Sequence, residues 1–209
     1  MRLFSYCLPV DDGAAPNPYW GTCTLAICKP KIRSVAKIGD WIAGVGSVNV
    51  RGKSYRNKLV YAMKVTNKMT MKEYDDYCLK YLPKKVPDIN NNDYRLNVGD
   101  SIYDYSQSEP KLRDSVHNCL NRERDLNGKN VLLSNHFYYF GDNAIDLPKR
   151  LWPIIKQGQA HKSDANELYK LDFVDWLEKT PYDPNQLHGK PQIVLDFKHR
   201  HLQNCSSKC

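Results

Sequence analysis

The fold is decided by the stretch Gly-Asp-Trp-Ile-Ala-Gly-Val-Gly at residues 39–46, where a Gly-Asp turn is followed by an apolar run. A second apolar stretch, Lys-Leu-Val-Tyr-Ala-Met-Lys-Val at residues 58–65, follows a polar and basic segment. Both stretches are rich in β-branched and aromatic residues and are bounded by turn-forming residues, which is typical of strands. Gly44 and Gly46 lower the strand propensity of the first stretch, so they indicate a close approach by another backbone or by a ligand.

The rest of the chain adds strands early and helices late. Residues 1–10 and 130–140 are further predicted strands, and the second of these is the strongest β signal in the sequence. A capping box of Thr70 and Glu73 precedes a helical pattern, and residues 166–179 form an amphipathic helix. Strands that precede helices without regular alternation favour an α+β domain. We expect a mostly antiparallel sheet or small PUA-like barrel, with helices mainly in the C-terminal third.

Length and composition indicate one globular domain. The chain has 209 residues, of which 41% are hydrophobic and 26% charged, and this balance excludes fibrous and disordered proteins. We expect a single domain over residues 1–195 and a basic tail over residues 196–209. No apolar run approaches the roughly 18 residues that span a membrane, and the first residues lack the apolar run of a signal peptide. The sequence therefore predicts a cytoplasmic protein without a membrane partner.

Positive charge is concentrated near the N-terminus. The formal net charge is +8, and residues 1–60 contain nine Lys or Arg against three Asp. A basic stripe of this kind attracts polyanions, of which nucleic acid is the usual one, although a solvated face that keeps the protein soluble is the simpler alternative. The candidate phosphate contacts are Lys29, Arg33, Arg51 and Lys53.

Polar and aromatic residues of the same region could bind a base. Trp20, Trp41 and Tyr61 lie among the basic residues, and rings on a basic surface stack exposed bases, although core packing is the alternative. Asn17 could hydrogen-bond to a base edge. Asp12, in an Asp-Asp-Gly loop, could take a proton or bind a metal, although such side chains often only stabilise their own turn.

The sequence lacks the established catalytic motifs, such as phosphate-binding loops and nucleophile elbows. Seven cysteines without a Cys-x-x-Cys pair indicate reduced thiols, and Cys23 and Cys28 are interpreted as small buried residues. If the fold placed either thiol beside His136, a thiol–imidazole pair would form. The catalytic candidates are therefore Asp12, His136 and Cys23.

No cofactor or metal site is predicted. The tail contains four residues of zinc-ligand type, but their spacing is not that of a standard zinc site. These residues are His199, His201, Cys205 and Cys209.

Several short motifs together resemble the second of the nucleotide modification associated domain families. They are Ala-Pro-Asn-Pro-Tyr-Trp-Gly at residues 15–21, Cys-Thr-Leu-Ala at 23–26 with Lys-Pro at 29–30, Gly-Asp-Trp-Ile at 39–42, Lys-Leu-Val-Tyr-Ala-Met-Lys-Val at 58–65, Gly-Asp-Ser-Ile-Tyr at 99–103 and Phe-Tyr-Tyr-Phe-Gly at 137–141. The resemblance covers roughly residues 1–195. It implies an intracellular, phage- or bacterium-associated protein linked to modified bases or nucleotides. The distinctive family positions would fall on Pro16, Asn17, Pro18, Trp20, Gly39, Asp40, Trp41 and Tyr61. Of these, Asp40 joins Asn17, Trp20, Trp41 and Tyr61 as a candidate nucleotide-binding residue.

Three functions are compatible with these observations. In the first, the chain recognises a modified base or nucleotide, alone or in nucleic acid, through a basic, aromatic-lined pocket in its N-terminal third. The strand order also looks like that of PUA-like barrels, which include readers of modified bases, although this is analogy at the level of the fold. In the second, the chain is an enzyme that acts on a nucleotide or modified base. In the third, it is a protein-interaction subunit of a modification or defence system.

Overall fold

A computed structural model describes residues 1–197 of the chain. The candidate tail ligands His199, His201, Cys205 and Cys209 lie outside the described residues. None of the helices within the described part is both long enough and apolar enough to cross a lipid bilayer.

Short strands and helices alternate irregularly along residues 1–197. The strands are β1 (Leu3–Leu8), β2 (Cys23–Leu25), β3 (Trp41–Gly46), β4 (Lys58–Lys64), β5 (Asn67–Thr70), β6 (Tyr103–Asp104), β7 (Lys111–Leu112), β8 (Asn130–Ser134), β9 (Phe137–Tyr139), β10 (Ile145–Asp146) and β11 (Gln186–Leu187). The α-helices are α1 (Pro30–Val35), α2 (Met71–Tyr81), α3 (Tyr94–Asn97), α4 (Arg122–Leu126) and α5 (Lys170–Glu178). Short 3₁₀ helices cover Pro83–Lys85, Cys119–Asn121, Gly141–Asn143, Lys149–Ile154 and Asp164–Asn166.

The strands form three open sheets. The largest has the order β1-β3-β4-β9-β11, with β10 also paired to β4. A second sheet has the order β2-β8-β5, and β6 pairs with β7 alone. Pairing is antiparallel except between β1 and β3 and between β9 and β11. The α+β prediction is confirmed, and the sheets are open instead of closed into a barrel.

Helices are spread along the chain instead of gathered in its C-terminal third. The longest is α2, with eleven residues, and it lies in the middle of the sequence. Its N-cap is Thr70, whose side chain accepts from the Glu73 amide while Glu73 bonds back to the Thr70 amide. This capping box satisfies two of the amides that a helix N-terminus leaves without partners, so the predicted start of α2 is confirmed.

The pairing of β3 with β4 explains the glycines of β3. Gly44 lies opposite Tyr61 in the register, and a Cβ atom at Gly44 would overlap the Tyr61 ring. A Cβ atom at Gly46 would overlap the backbone of Tyr55. The close approach predicted at these glycines is therefore made by the protein's own chain, and β3 is buried along its whole length.

Candidate active site

Three side chains from distant parts of the chain meet in the order thiol, imidazole, carboxylate. The Sγ atom of Cys28 lies 3.5 Å from Nε2 of His117, and Nδ1 of the same ring lies 2.5 Å from Oδ2 of Asp125. Cys28 and His117 are half-buried, whereas Asp125 is fully buried. In this order a base contacts the nucleophile and a third group orients the base. We call these residues the triad.

The backbone around Cys28 has an unusual conformation. Cys28 has φ 57° and Lys29 has φ 39°, in the left-handed region that is costly for residues with a side chain. Helix α1 begins directly afterwards at Pro30. The Cys28 amide donates to Oδ1 of Asp125 at 3.0 Å, so one carboxylate holds both the turn and the imidazole. Strained backbone of this type is concentrated at functional sites.

A buried arginine connects the two parts of the chain that carry the triad. From α1, Arg33 donates through Nε to the carbonyl of Cys28 at 2.7 Å and through Nη2 to the carbonyl of Asp125. Its Nη1 donates to the carbonyl of Asn130 at 2.9 Å. A Cβ atom at Gly128 would overlap the guanidinium. Because Arg33 is fully buried, the structure gives it a positioning role in place of the predicted phosphate contact.

Hydrogen bonds determine the charge state of the His117–Asp125 pair. Burial opposes the charge on His117, but its hydrogen bonds to Asp125 and Cys28 outweigh burial and raise the pKa of the imidazole to about 9. Burial also opposes the charge on Asp125, but its bonds to His117 and to the Cys28 amide lower the pKa of that carboxyl. Tyr103 donates a further hydrogen bond to Oδ2 of Asp125 at 3.2 Å. At neutral pH the pair is therefore imidazolium–carboxylate, with the charged ring beside the sulfur.

The same three residues also have the chemistry of metal ligands. One ligand atom from each lies within 4.8 Å of the others, and thiolate, imidazole and carboxylate all bind Zn²⁺. However, Nδ1 of His117 is already hydrogen-bonded to Asp125, which leaves Nε2 of the ring to contact the Cys28 sulfur. The geometry favours the arrangement of a nucleophile, its base and an orienting carboxylate over a three-ligand metal site.

One comparison with known proteins gives a result. A family model described as nucleotide modification associated domain 2 matches residues 1–199. The chain belongs to this family. The resemblance based on the motifs at residues 15–21 and 39–42 is thereby confirmed. No curated protein and no solved structure matches the chain.

In this member of the nucleotide modification associated domain 2 family, the expected stacking residues do not form one hollow within residues 1–197. Trp41 and Tyr61 are 1% and 0% exposed and belong to different core clusters. Trp20 is half-buried, and Lys84 Nζ and Arg95 Cζ lie 4.6 Å and 4.7 Å from its ring centroid. The ring system of Trp20 is therefore engaged by the protein's own cations.

The predicted phosphate contacts are also dispersed. Lys29 places Nζ 4.2 Å from the ring centroid of Tyr6 and follows Cys28 in the chain. Arg51 and Lys53 are exposed on the loop between β3 and β4. Of the four predicted basic residues, Arg33 contacts the triad backbone from the interior, and Lys29 follows Cys28 in the chain.

Asn17 of the family motif belongs to a buried polar network. It is 0% exposed, its Nδ2 donates to the carbonyl of Val98 at 2.9 Å, and its Oδ1 accepts from Lys85 Nζ at 2.7 Å. Lys85 also donates to Thr24, which donates to the buried carboxylate of Asp100. Because both ends of the amide are engaged, Asn17 stabilises the interior instead of facing a base.

The two predicted aspartates support turns. Asp40 accepts from Arg2 Nη2 at 2.7 Å and from the amide of Lys37 at 2.9 Å, which fixes the turn before β3. Asp12 accepts from the amide of Ala14 at 3.0 Å. These bonds match the turn-stabilising alternative considered for Asp12.

The sequence allows a thiol–imidazole pair of His136 with either Cys23 or Cys28, and the structure instead places Cys28 beside His117. Burial raises the pKa of the Cys23 thiol to about 12, so it remains protonated at neutral pH. The His136 ring lies 5.4 Å from the Trp41 ring, and its buried Nε2 makes no hydrogen bond within the described residues. Cys23 is fully buried, whereas His136 is half-buried.

Sequence patterns do not reveal His117 and Asp125 as functional residues. They lie 89 and 97 residues from Cys28, in a charged, turn-rich segment without apolar periodicity. Cys28 does carry a local signal for a functional position, because it precedes a Lys-Pro turn between a strand and a helix. A nucleophile at a strand-to-helix turn is presented in this way in other folds.

Proposed function

We propose that this chain is an enzyme that acts on a nucleotide or a modified base by thiol chemistry. In this proposal Cys28 is the nucleophile, His117 is the proton donor and acceptor, and Asp125 orients the imidazole. Family membership associates the chain with nucleotide modification. The observation that carries the proposal is the uninterrupted contact from sulfur to imidazole to carboxylate.

In the proposed reaction, the Cys28 sulfur attacks an electrophilic carbon of the substrate. As the sulfur–carbon bond forms, His117 takes the proton that the thiol gives up, and Nε2 donates it to the leaving group, so the substrate carbon stays bound to Cys28. Water then attacks this carbon, His117 accepts a proton from the water, and the sulfur–carbon bond breaks, which releases the product and regenerates the Cys28 thiol. Asp125 keeps Nδ1 in its protonated form and stabilises the charged ring, as the third member of such a set does. Tyr103 and the Cys28 amide hold Asp125 in place.

Two cations that are chain neighbours of triad residues support an anionic substrate. Lys29 directly follows Cys28, and Arg124 directly precedes Asp125 in the chain. Burial lowers the pKa of Lys29, and the positive charge of Arg124 lowers it further, which is the effect of a neighbouring cation. Cations next to a nucleophile favour a substrate that carries phosphate, as nucleotides do.

Thiol reactivity tests the first part of the proposal. Iodoacetamide labelling, followed by peptide mass spectrometry, should modify Cys28 at least about tenfold faster than Cys7, because an adjacent imidazolium activates a thiol. Cys7 is a matched control, since it is also a half-buried free thiol. His117→Asn should remove most of that advantage. Equal labelling rates for the two cysteines in the wild-type chain would contradict the proposal.

Turnover tests the second part. The chain is incubated with a panel of nucleotides and modified nucleotides, and products and covalent adducts are followed by mass spectrometry. Cys28→Ser should abolish the conversion that the wild type shows, whereas Cys7→Ser should retain it. Conversion by Cys28→Ser at the wild-type rate would refute thiol catalysis.

A further inference from the structure

A second site, which shares no residue with the triad, is a groove of about 530 Å³. Its lining includes the cations Arg56, Lys156 and Lys162 and the indole of Trp152, and none of its lining residues is acidic. We propose that this groove binds single-stranded nucleic acid. The cations contact backbone phosphates, and Trp152 stacks a base.

Trp152 is held in a position from which its ring faces solvent. It lies on the 3₁₀ helix Lys149–Ile154, and its Nε1 donates to the carbonyl of Leu147 at 3.0 Å. The residue is nevertheless 41% exposed, which is high for so large a ring. A tryptophan ring that is held by its Nε1 hydrogen bond and is exposed to solvent is suited to stacking against a base, whatever the nucleotide sequence.

The cations of the groove have donors to spare. Lys162 donates to the carbonyl of Pro153 at 2.8 Å, and the backbone of Lys162 pairs with Ser5 of β1. Arg56 is exposed on the loop before β4, and no ion pair within residues 1–197 includes Arg56, Lys156 or Lys162. Because an ammonium has three donors, the lysines can still bind phosphate.

No acidic side chain of the described residues lines the groove. Asp146 is next to Leu147 in the chain, but its carboxylate is already paired with Lys58 Nζ at 2.8 Å. Three cations with one exposed ring, spread along an open groove, match a chain of phosphates and bases better than a single small anion. A single strand offers both backbone phosphates and unpaired bases that can stack on the indole. In a duplex the bases are paired and stacked on one another, so they cannot reach the indole.

Oligonucleotide binding measured by fluorescence anisotropy at several salt concentrations tests the proposal. The triple variant Arg56→Ala, Lys156→Ala, Lys162→Ala should bind a labelled single strand at least tenfold more weakly than the wild type. The slope of log affinity against log salt concentration should be smaller in magnitude by about 2 for this variant. Each lost phosphate contact on a single strand removes roughly 0.7 from the slope, and the variant loses three contacts. The control variant Lys72→Ala, Lys80→Ala, Lys111→Ala removes equal charge elsewhere and should bind like the wild type.

The ring is tested separately. Trp152→Ala should weaken single-strand binding roughly tenfold, and Trp152→Phe should restore part of it because a ring can still stack. Circular dichroism checks that each variant is folded. The Cys28→Ser variant should bind as the wild type does, so failure of the catalytic proposal leaves this result interpretable.

Three outcomes would overturn the inference. The first is equal weakening by the groove variant and the control variant, which indicates general charge attraction. The second is equal affinity for duplex and single strand together with no effect of Trp152→Ala. The third is binding to anionic lipid vesicles, measured in parallel, that depends on the groove while oligonucleotide binding does not.

Discussion

Arg33 shows how a charged residue can be part of the protein interior. Its guanidinium donates to three backbone carbonyls, those of Cys28, Asp125 and Asn130. A carbonyl that is buried without a partner costs about 1–3 kcal/mol, so the loss of all three donors is expensive. The residue that looked like a phosphate contact in the sequence therefore determines where the triad residues lie.

Arg33→Met should lower the free energy of unfolding by about 3 kcal/mol or more, because the three carbonyls lose their donors. The measurement is urea unfolding followed by circular dichroism. The exposed Arg56→Met is the matched control, for which we expect a change of about 0.5 kcal/mol or less. Similar effects of the two changes would contradict the positioning role of Arg33.

Asp11 is a buried carboxyl with unusual ionisation. It is 1% exposed, and Oδ1 accepts from the Tyr139 hydroxyl at 2.8 Å. Burial raises the pKa of Asp11 from 3.8 to about 7, despite that hydrogen bond. Because the folded chain holds this proton more tightly than the unfolded chain, Asp11 contributes stability at low pH that is lost as pH rises from about 4 to about 7.

Asp11→Asn removes this titration. Relative to wild type, the variant should become more stable between pH 5 and pH 8, with a gain of about 1–3 kcal/mol across that interval. Denaturant unfolding of both chains at each pH gives the difference, and titrations common to both chains cancel. A difference that does not change with pH would show that Asp11 ionises normally.

His117 should give the triad a distinct pH profile. Its pKa is raised to about 9, so the imidazolium beside Cys28 persists through neutral pH and is lost as pH rises through about 9. The ratio of Cys28 to Cys7 alkylation rates should therefore be largest near neutral pH and fall above pH 9. The ratio is measured by quenched labelling and mass spectrometry. A ratio that keeps rising above pH 9 would exclude activation by His117.

At the scale of elements, the stretch with the strongest β signal, residues 130–140, forms two strands that belong to different sheets. Residues 130–140 contain β8, which pairs with β2 and β5, and β9, which pairs with β4 and β11. Residues 135 and 136 form the bend between them. Local apolar pattern predicts that residues are extended, but the choice of partner strand depends on contacts far away in the chain.

Helix α2 has its N-terminus fixed by local sequence. Thr70→Ala removes the side-chain acceptor of the capping box and should lower the free energy of unfolding by about 1 kcal/mol. Thermal or urea unfolding measures the loss. Thr180→Ala is a comparison at a helix C-terminus, where the threonine hydroxyl donates a hydrogen bond to the Leu177 carbonyl instead of accepting one from a helix amide. An equal loss at both positions would contradict the capping role.

Helix α5 shows a limit of periodicity. The pattern of residues 166–179 predicts a buried apolar face, and Leu177 is indeed fully buried. Phe173 is buried with it, whereas Leu168 and Leu171 are 87% and 69% exposed. Helix α5 contacts Trp41 through Phe173, so only a narrow side of the helix is buried. Sequence periodicity does not determine the angle at which a helix packs on a sheet.

At the scale of the whole molecule, the fold class and the family could be predicted from sequence, but the site could not. Alternating apolar stretches and a capping box are local signals, and they gave the main strands and α2. The triad requires Cys28 to meet a loop 89 residues away, and this meeting follows from the packing of α1 near α4. Positive charge near the N-terminus likewise carried no information on which cations become buried.

The described chain should unfold as one unit. Arg33 joins α1 to residues of α4 and β8, and the Asp11 carbonyl accepts from the amide of Ile193 at 2.9 Å, which joins the two ends of the domain. Fluorescence and far-ultraviolet circular dichroism should therefore report one coincident urea transition. Two separate midpoints would divide the single domain that we predict over residues 1–195.

The Arg33 guanidinium occupies the space where a side chain at position 128 would begin, so the residues allowed at the two positions depend on each other. A larger residue at position 128 is sterically compatible only with a shorter one at position 33. Homologous chains with a larger residue at position 128 should therefore lack arginine at position 33, whereas glycine at position 128 is compatible with either a long or a short residue there. Aligning many homologues would show this covariation directly.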